Sequence, residues 1–183
     1  MSATLATQLA RTRGQWALAG ILIIAAGLRF WGLAFGLPHD HCRPDEVTLA
    51  HHALSIGAGD LNPHFFNYPT FTLYVASALY YVYFLFFSTQ SLEYFVAYRY
   101  FVDPIDLLAI ARTANTLVSA ATVAVCMAVG RRLYGRTGGY LAGVVLAVMP
   151  LHARFAHLAI TDVAAGFFTA LAGLYGVRIV QQQ

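Results

Sequence analysis

Leu107 to Val129 reads LLAIARTANTLVSAATVAVCMAV, and it runs straight into Gly130-Arg131-Arg132-Leu133-Tyr134-Gly135-Arg136 before a second apolar run, Gly138 to Phe155. Each run approaches the roughly 20 residues a helix needs to cross a bilayer core, and arginines clustered between two such runs mark the cytoplasmic side. The pattern predicts two spanning helices joined in the cytoplasm. Working outward, Gln15 to Gly36 lies behind Arg11 and Arg13, and Val163 to Val180 carries Arg178 near its end. Four spans follow, at 15–36, 107–129, 138–155 and 163–180, with the N-terminus cytoplasmic. The first run is long for a signal-peptide core and lacks a small-residue cleavage site, so it is expected to be a retained signal anchor.

Composition agrees with this class. Of 183 residues, 59% are hydrophobic and 10% charged, and the mean hydropathy is +0.62. These values predict an all-α integral membrane protein, folded as one domain over 1–183. All 11 basic residues are arginine, which excludes lysine Schiff-base and P-loop chemistry. The net charge of +3 is carried by arginines scattered singly or in pairs. It reads as an orientation signal, so membrane lipids are expected partners and nucleic acid is not. Cys42 and Cys126 fall near opposite faces, and no disulfide between them is expected.

The same orientation puts 37–69 and 151–162 together on the extracytoplasmic face. Every histidine (His39, His41, His51, His52, His64, His152, His157) falls in these two segments. The intervening stretch, 70–102, is harder to place, since sixteen of the 26 aromatic residues lie between Phe65 and Phe101. If both loops share a face while Arg131 is cytoplasmic, this stretch crosses an even number of times. Aromatic enrichment is typical of interfaces, so juxtamembrane or re-entrant helices are expected there rather than two full spans. Asp103-Pro104 then breaks the chain.

Within the first loop stands Arg43-Pro44-Asp45-Glu46. Adjacent carboxylates beside a membrane are costly unless paired, hydrated or used. Pro44 suits the first position of a helix, which would hold both acids in its first turn and run to Ser55 or Ile56, ended by Gly57 and Gly59. Val47, Ala50 and Leu54 would form an apolar stripe resting on the membrane surface. Asp45 and Glu46 would point about 100° apart, so one can face a substrate while the other bonds a basic partner. Helix capping alone is the plainer alternative.

Several motifs, taken in order, resemble a known family. They are Leu28-Arg29-Phe30, Arg43-Pro44-Asp45-Glu46, Asn62 to Pro69 (NPHFFNYP), Ala111-Arg112, Gly130 to Gly135, and His157-Leu158-Ala159-Ile160-Thr161-Asp162. Together they resemble the start of the GT-C membrane glycosyltransferases, nearest the branch of protein O-mannosyltransferases, lipid A aminoarabinose transferases and RgtA/B/C/D-like proteins. The resemblance implies a GT-C-like transmembrane helical bundle with an extracytoplasmic catalytic loop at 37–69 that contains juxtamembrane helices. It further implies inverting transfer of a sugar from a polyprenyl-phosphate donor to a hydroxyl on a lipid, glycan or protein.

By that resemblance Asp45 is the general base, and Glu46 orients the acceptor or holds an arginine. Asp162 closes the site from the other side. The lipid-phosphate leaving group calls for cations, since arginine's planar fork suits phosphate. Arg112 is the first choice, with Arg43 and Arg154 behind it; His157 and Tyr68 are further contacts. No cofactor beyond the donor is implied, and a divalent metal is compatible but not required; no metal site is predicted. Relatives carry a charged pair or His-Pro-Pro near Tyr68-Pro69, whereas this chain has Asn67-Tyr68-Pro69-Thr70. A generic RgtA/B/C/D-like transferase therefore fits better than either named substrate class. Relatives also continue through further spans, so the chain is expected to be an N-terminal portion.

Two other classes compete. Metal binding is suggested by His39, His41, Cys42, Asp45, Glu46, His51 and His52 within fourteen residues, but no His-x-x-x-His or Cys-x-x-Cys spacing supports it. A non-catalytic or truncated membrane assembly subunit is the other.

Overall fold

The computed structural model describes residues 3–39 and 43–182, with side chains described from Gly14 onward. Seven helices follow in order: α1 (Ala3–Phe30), α2 (Pro44–Gly57), α3 (Phe71–Phe87), α4 (Leu92–Phe101), α5 (Ile105–Val148), α6 (Pro150–Ala156) and α7 (Asp162–Val180). No strand occurs among the described residues. Two helices, α5 and α7, are long and apolar enough to cross a membrane, and a third candidate arises if α3 and α4 count as one span bent by 118°.

α5 is a hairpin rather than one rod. Its helical backbone breaks at Tyr134 and Gly135, where Gly135 adopts φ 71° and ψ −164°, a region essentially reserved for glycine. The leg over 136–148 returns along the first so closely that a Cβ on Gly130 would come 2.6 Å from the Gly138 carbonyl oxygen. One on Gly139 would meet the Met127 carbonyl oxygen at 3.0 Å, and one on Gly143 would strike the Met127 side chain. Small residues let helix backbones approach where lipid offers no hydrophobic drive for association.

α1 and α7 flank this hairpin. Beside an apolar cluster of Ala25, Val123, Met127 and Ala147, much of what α5 buries is small or polar: Thr116, Ser119, Thr122, Gly130, Gly139 and Gly143 are buried, whereas Leu117, Leu141, Val144, Val145 and Phe168 face outward. A helix bundle with so many large apolar side chains outside suits a lipid solvent and not water. The structure thus suggests membrane association.

Two expected spans differ in extent. The run 15–36 is helical only to Phe30; Gly32 and Gly36, both at φ 81°, turn the chain into successive tight turns over 31–39. The run 138–155 is interrupted at Met149, whose extended backbone (φ −63°, ψ 114°) precedes Pro150 and the short α6. The second interruption has a partner. Arg29, fully buried, donates through Nη1 to the Ala25 and Ala147 carbonyls (3.0 Å each) and through Nη2 to the Leu146 carbonyl (3.0 Å). Its Nε reaches Ser119 Oγ at 2.8 Å and its Nη2 His152 Nδ1 at 2.7 Å. The guanidinium therefore sits on the negative end of the broken helix.

A second core gathers α2, α3 and α4. Leu49, Ala53, Leu54 and Ile56 pack on Leu73, Tyr80 and Phe95, with Leu107 beneath. The apolar stripe expected to rest on the membrane surface is corrected accordingly, since Ala50 and Leu54 are buried inside the protein. α3 and α4 meet at a sharp bend over 88–91. Arg99, in the last turn of α4, bonds Asp103 and Asp106 at the turn into α5 and lies over the rings of Tyr83, Phe95 and Tyr98.

Candidate functional site

α2 begins with Pro44 in its first turn, and its end at Gly57 falls one residue beyond the expected limit. As the helical rotation requires, its two acids part company. Asp45 is exposed, while Glu46 is 1% exposed and turned into the protein.

Glu46 meets Arg112 of α5 in a two-pronged ion pair, with Arg112 Nε donating to Oε1 at 2.9 Å and Nη2 to Oε2 at 2.7 Å. Glu46 Oε1 also accepts from the Ala159 amide at 2.5 Å. Arg112 Nη1 then donates to the carbonyls of Leu33 (3.0 Å) and Phe35 (2.9 Å), which the turns after α1 leave free. This corrects the place given to Arg112. Four of its five N–H donors are spent inward and its side chain is 4% exposed, so it ties α1, α2 and α5 together instead of presenting to a phosphate.

The segment that carries Asp162 is fixed from the same side of α5. Asn115 Nδ2 donates to the Leu158 and Ile160 carbonyls, 2.7 Å each, and Thr116 Oγ1 to the Ala156 carbonyl at 3.1 Å. Asp162 then opens α7, where free amides and the dipole favour negative charge. Sequence reasoning missed Asn115, Thr116 and Ser119. Together with Arg112 they recur at i, i+3, i+4 and i+7 in an apolar span, a polar stripe that signals an inward face.

These ties bring Asp45 and Asp162, 117 residues apart in the chain (162 − 45), to one cavity of about 370 Å³. Arg43, Glu46 and Tyr68 line it too, with Pro44, Leu49, Phe155, Leu158 and Ile160 as its apolar wall. A smaller apolar cavity of about 90 Å³, between α3, α5 and α7, shares Leu49 and Ile160 with it. Acidic and apolar space thus adjoin. Arg154 and His157 are not among the cavity's lining residues: Arg154 is exposed on α6, and His157 Nε2 lies 3.3 Å from the Leu28 carbonyl.

No three His, Cys, Asp or Glu side chains gather as a metal cage among the described residues. His51 stacks on Tyr100 with ring centroids 4.1 Å apart, and His52 on Phe65 at 4.2 Å. Of the remaining residues named for metal, His41 and Cys42 lie outside the described residues. The chain matches no protein-family model, no curated protein and no solved structure.

Proposed function

We propose that the protein is a membrane glycosyltransferase of GT-C type, which transfers a sugar from a polyprenyl-phosphate donor to a hydroxyl acceptor at the extracytoplasmic face. The observation that carries this reading is the shared cavity of Asp45 and Asp162, with the neighbouring Glu46 withdrawn into a buried ion pair. One carboxylate is thereby free for proton transfer while its sequence neighbour holds the scaffold. Asp45 takes the acceptor's hydroxyl proton as that oxygen bonds to the anomeric carbon from the face opposite the leaving group. The bond from that carbon to the phosphate oxygen breaks, its electron pair leaves with the polyprenyl phosphate, and the anomeric configuration inverts.

Arg43 replaces Arg112 as the cation for the leaving phosphate, because it lines the cavity. Asp162, which lines the same cavity, positions the donor or acceptor hydroxyls. The adjoining apolar cavity suits a ligand that is polar at one end and hydrocarbon at the other. Purified protein in lipid nanodiscs, supplied with a panel of labelled polyprenyl-phosphate sugars and hydroxyl acceptors, tests the proposal. Turnover by the wild type that is lost in Asp45→Asn and Asp162→Asn supports it. No donor binding by wild type or variant sinks it, and favours the assembly-subunit alternative.

A further inference from the structure

The end of the bundle away from the acids has its own recess. Gly14 and Gln15 of α1 face Arg131, Arg136, Gly139 and Tyr140 of the α5 hairpin across a cavity of about 210 Å³. The helices pack closely beside it, since a Cβ on Gly139 would lie 2.9 Å from the Arg131 Cβ and one on Gly14 would lie 3.1 Å from the Tyr140 hydroxyl. Tyr140 braces the wall by donating to the Gly14 carbonyl at 3.3 Å.

Charge at this end is one-sided. The eight acidic residues of the chain fall between 40 and 106 or at 162, so none lies on the segments that build the recess. Arg132 is engaged, with Nη1 3.3 Å from Gln181 Oε1 and its carbonyl accepting from Gln181 Nε2 at 3.0 Å. Arg131 and Arg136 are exposed and have no ion pair among the described residues. Two guanidiniums without a counter-charge, lining one recess, call for an anion of phosphate geometry. Large apolar side chains rim the same end, with Trp16 77% and Tyr134 78% exposed. A free anion makes no use of that rim, whereas a phospholipid puts its headgroup among the arginines and its acyl chains against the aromatics.

We propose that this recess binds the headgroup phosphate of an anionic membrane phospholipid, held by Arg131 and Arg136. The inference is independent of the glycosyl-transfer reading, because the recess shares no residue with the Asp45 cavity.

Trp16, which follows Gln15 of the recess in α1, reports on lipid beside the site. The chain has 2 tryptophans, so in a Trp31→Phe background Trp16 is the only one. That protein is reconstituted in phosphatidylcholine vesicles containing a small, equal fraction of either brominated phosphatidylglycerol or brominated phosphatidylcholine. Quenching of Trp16 is expected to favour the anionic lipid, with the preference falling about fivefold for each arginine removed in R131Q and R131Q/R136Q. The charge-retaining R131K/R136K keeps the preference, which separates loss of charge from misfolding. Equal quenching by the two lipids, or a preference that survives R131Q/R136Q, overturns the proposal. So does inorganic phosphate that abolishes the anionic-lipid preference at matched ionic strength, since a soluble phosphate would then be the ligand.

Discussion

Glu46 and Arg112 face each other edge to edge, with nitrogen to oxygen distances of 2.9 and 2.7 Å, and neither side chain is more than 4% exposed. A pair this buried gains little over an apolar substitute of the same shape, but removing one partner strands the other's charge. Arg112 has no second carboxylate among its hydrogen-bond partners, only the Leu33 and Phe35 carbonyls. Glu46→Gln is therefore expected to cost about 3–5 kcal/mol of stability. Thermal unfolding in a mild detergent measures this. Asp45→Asn, one residue earlier but exposed, should stay within about 0.5 kcal/mol of the wild type.

The two acids should separate in the opposite sense in activity. With Asp45 as general base, Asp45→Asn is expected to lower kcat by about 10²–10⁴-fold in a protein of normal stability. Arg43→Gln should also weaken release of the leaving phosphate. Steady-state kinetics on the polyprenyl-phosphate sugar that proves active, run beside the melting curves, checks both.

The α5 hairpin makes a third expectation. Gly135 has φ 71° and ψ −164°, so Gly135→Ala forces a side chain into a conformation that costs about 1–3 kcal/mol. Gly143→Val should do harm by another route, since even a Cβ there collides with the Met127 side chain. Overpacking of this kind costs about 1–3 kcal/mol. Both variants are expected to melt earlier, whereas Gly166→Ala, inside α7 with nothing within 4 Å of the added Cβ, is expected to melt no earlier than the wild type, since alanine favours a helix over glycine.

Stability should also depend on pH through His152, on the short α6 outside the two long apolar helices. Burial, reinforced by the charge on Arg29, holds this imidazole below its ordinary value. Arg29 can only donate, so His152 Nδ1 accepts and the ring is neutral in the fold. A depressed value in the folded state means that the stabilisation is present above the unfolded value of about 6.5 and is lost as pH falls through the folded one. Melting temperature should therefore drop on acidification below about pH 6.5. His152→Gln should flatten that part of the profile, and an unchanged profile in this variant would exclude His152 as the titrating group.

Much of the local structure was legible in the chain. Pro44 before two acids predicts where α2 starts, and Gly57 lies at its end. Gly135 within an arginine-rich turn marks the hairpin, because few other residues tolerate its backbone angles. The limits of α1 were not legible, since Leu33, Ala34 and Phe35 continue the apolar pattern through Gly32 and Gly36. Hydropathy registers side chains, while positive φ at those glycines is a backbone property.

The sequence by itself determined a helical, apolar chain, the hairpin turn, and the presence of acids at two separate places. Only the tertiary structure decided which acid of the adjacent pair is withdrawn and which stays open. It also turned Arg112 inward. The reason is that these choices depend on partners far along the chain: Glu46 and Arg112 are 66 residues apart and Glu46 and Ala159 are 113 apart. Local periodicity fixes the direction in which a side chain leaves its helix, but the group waiting there is set by how the helices pack.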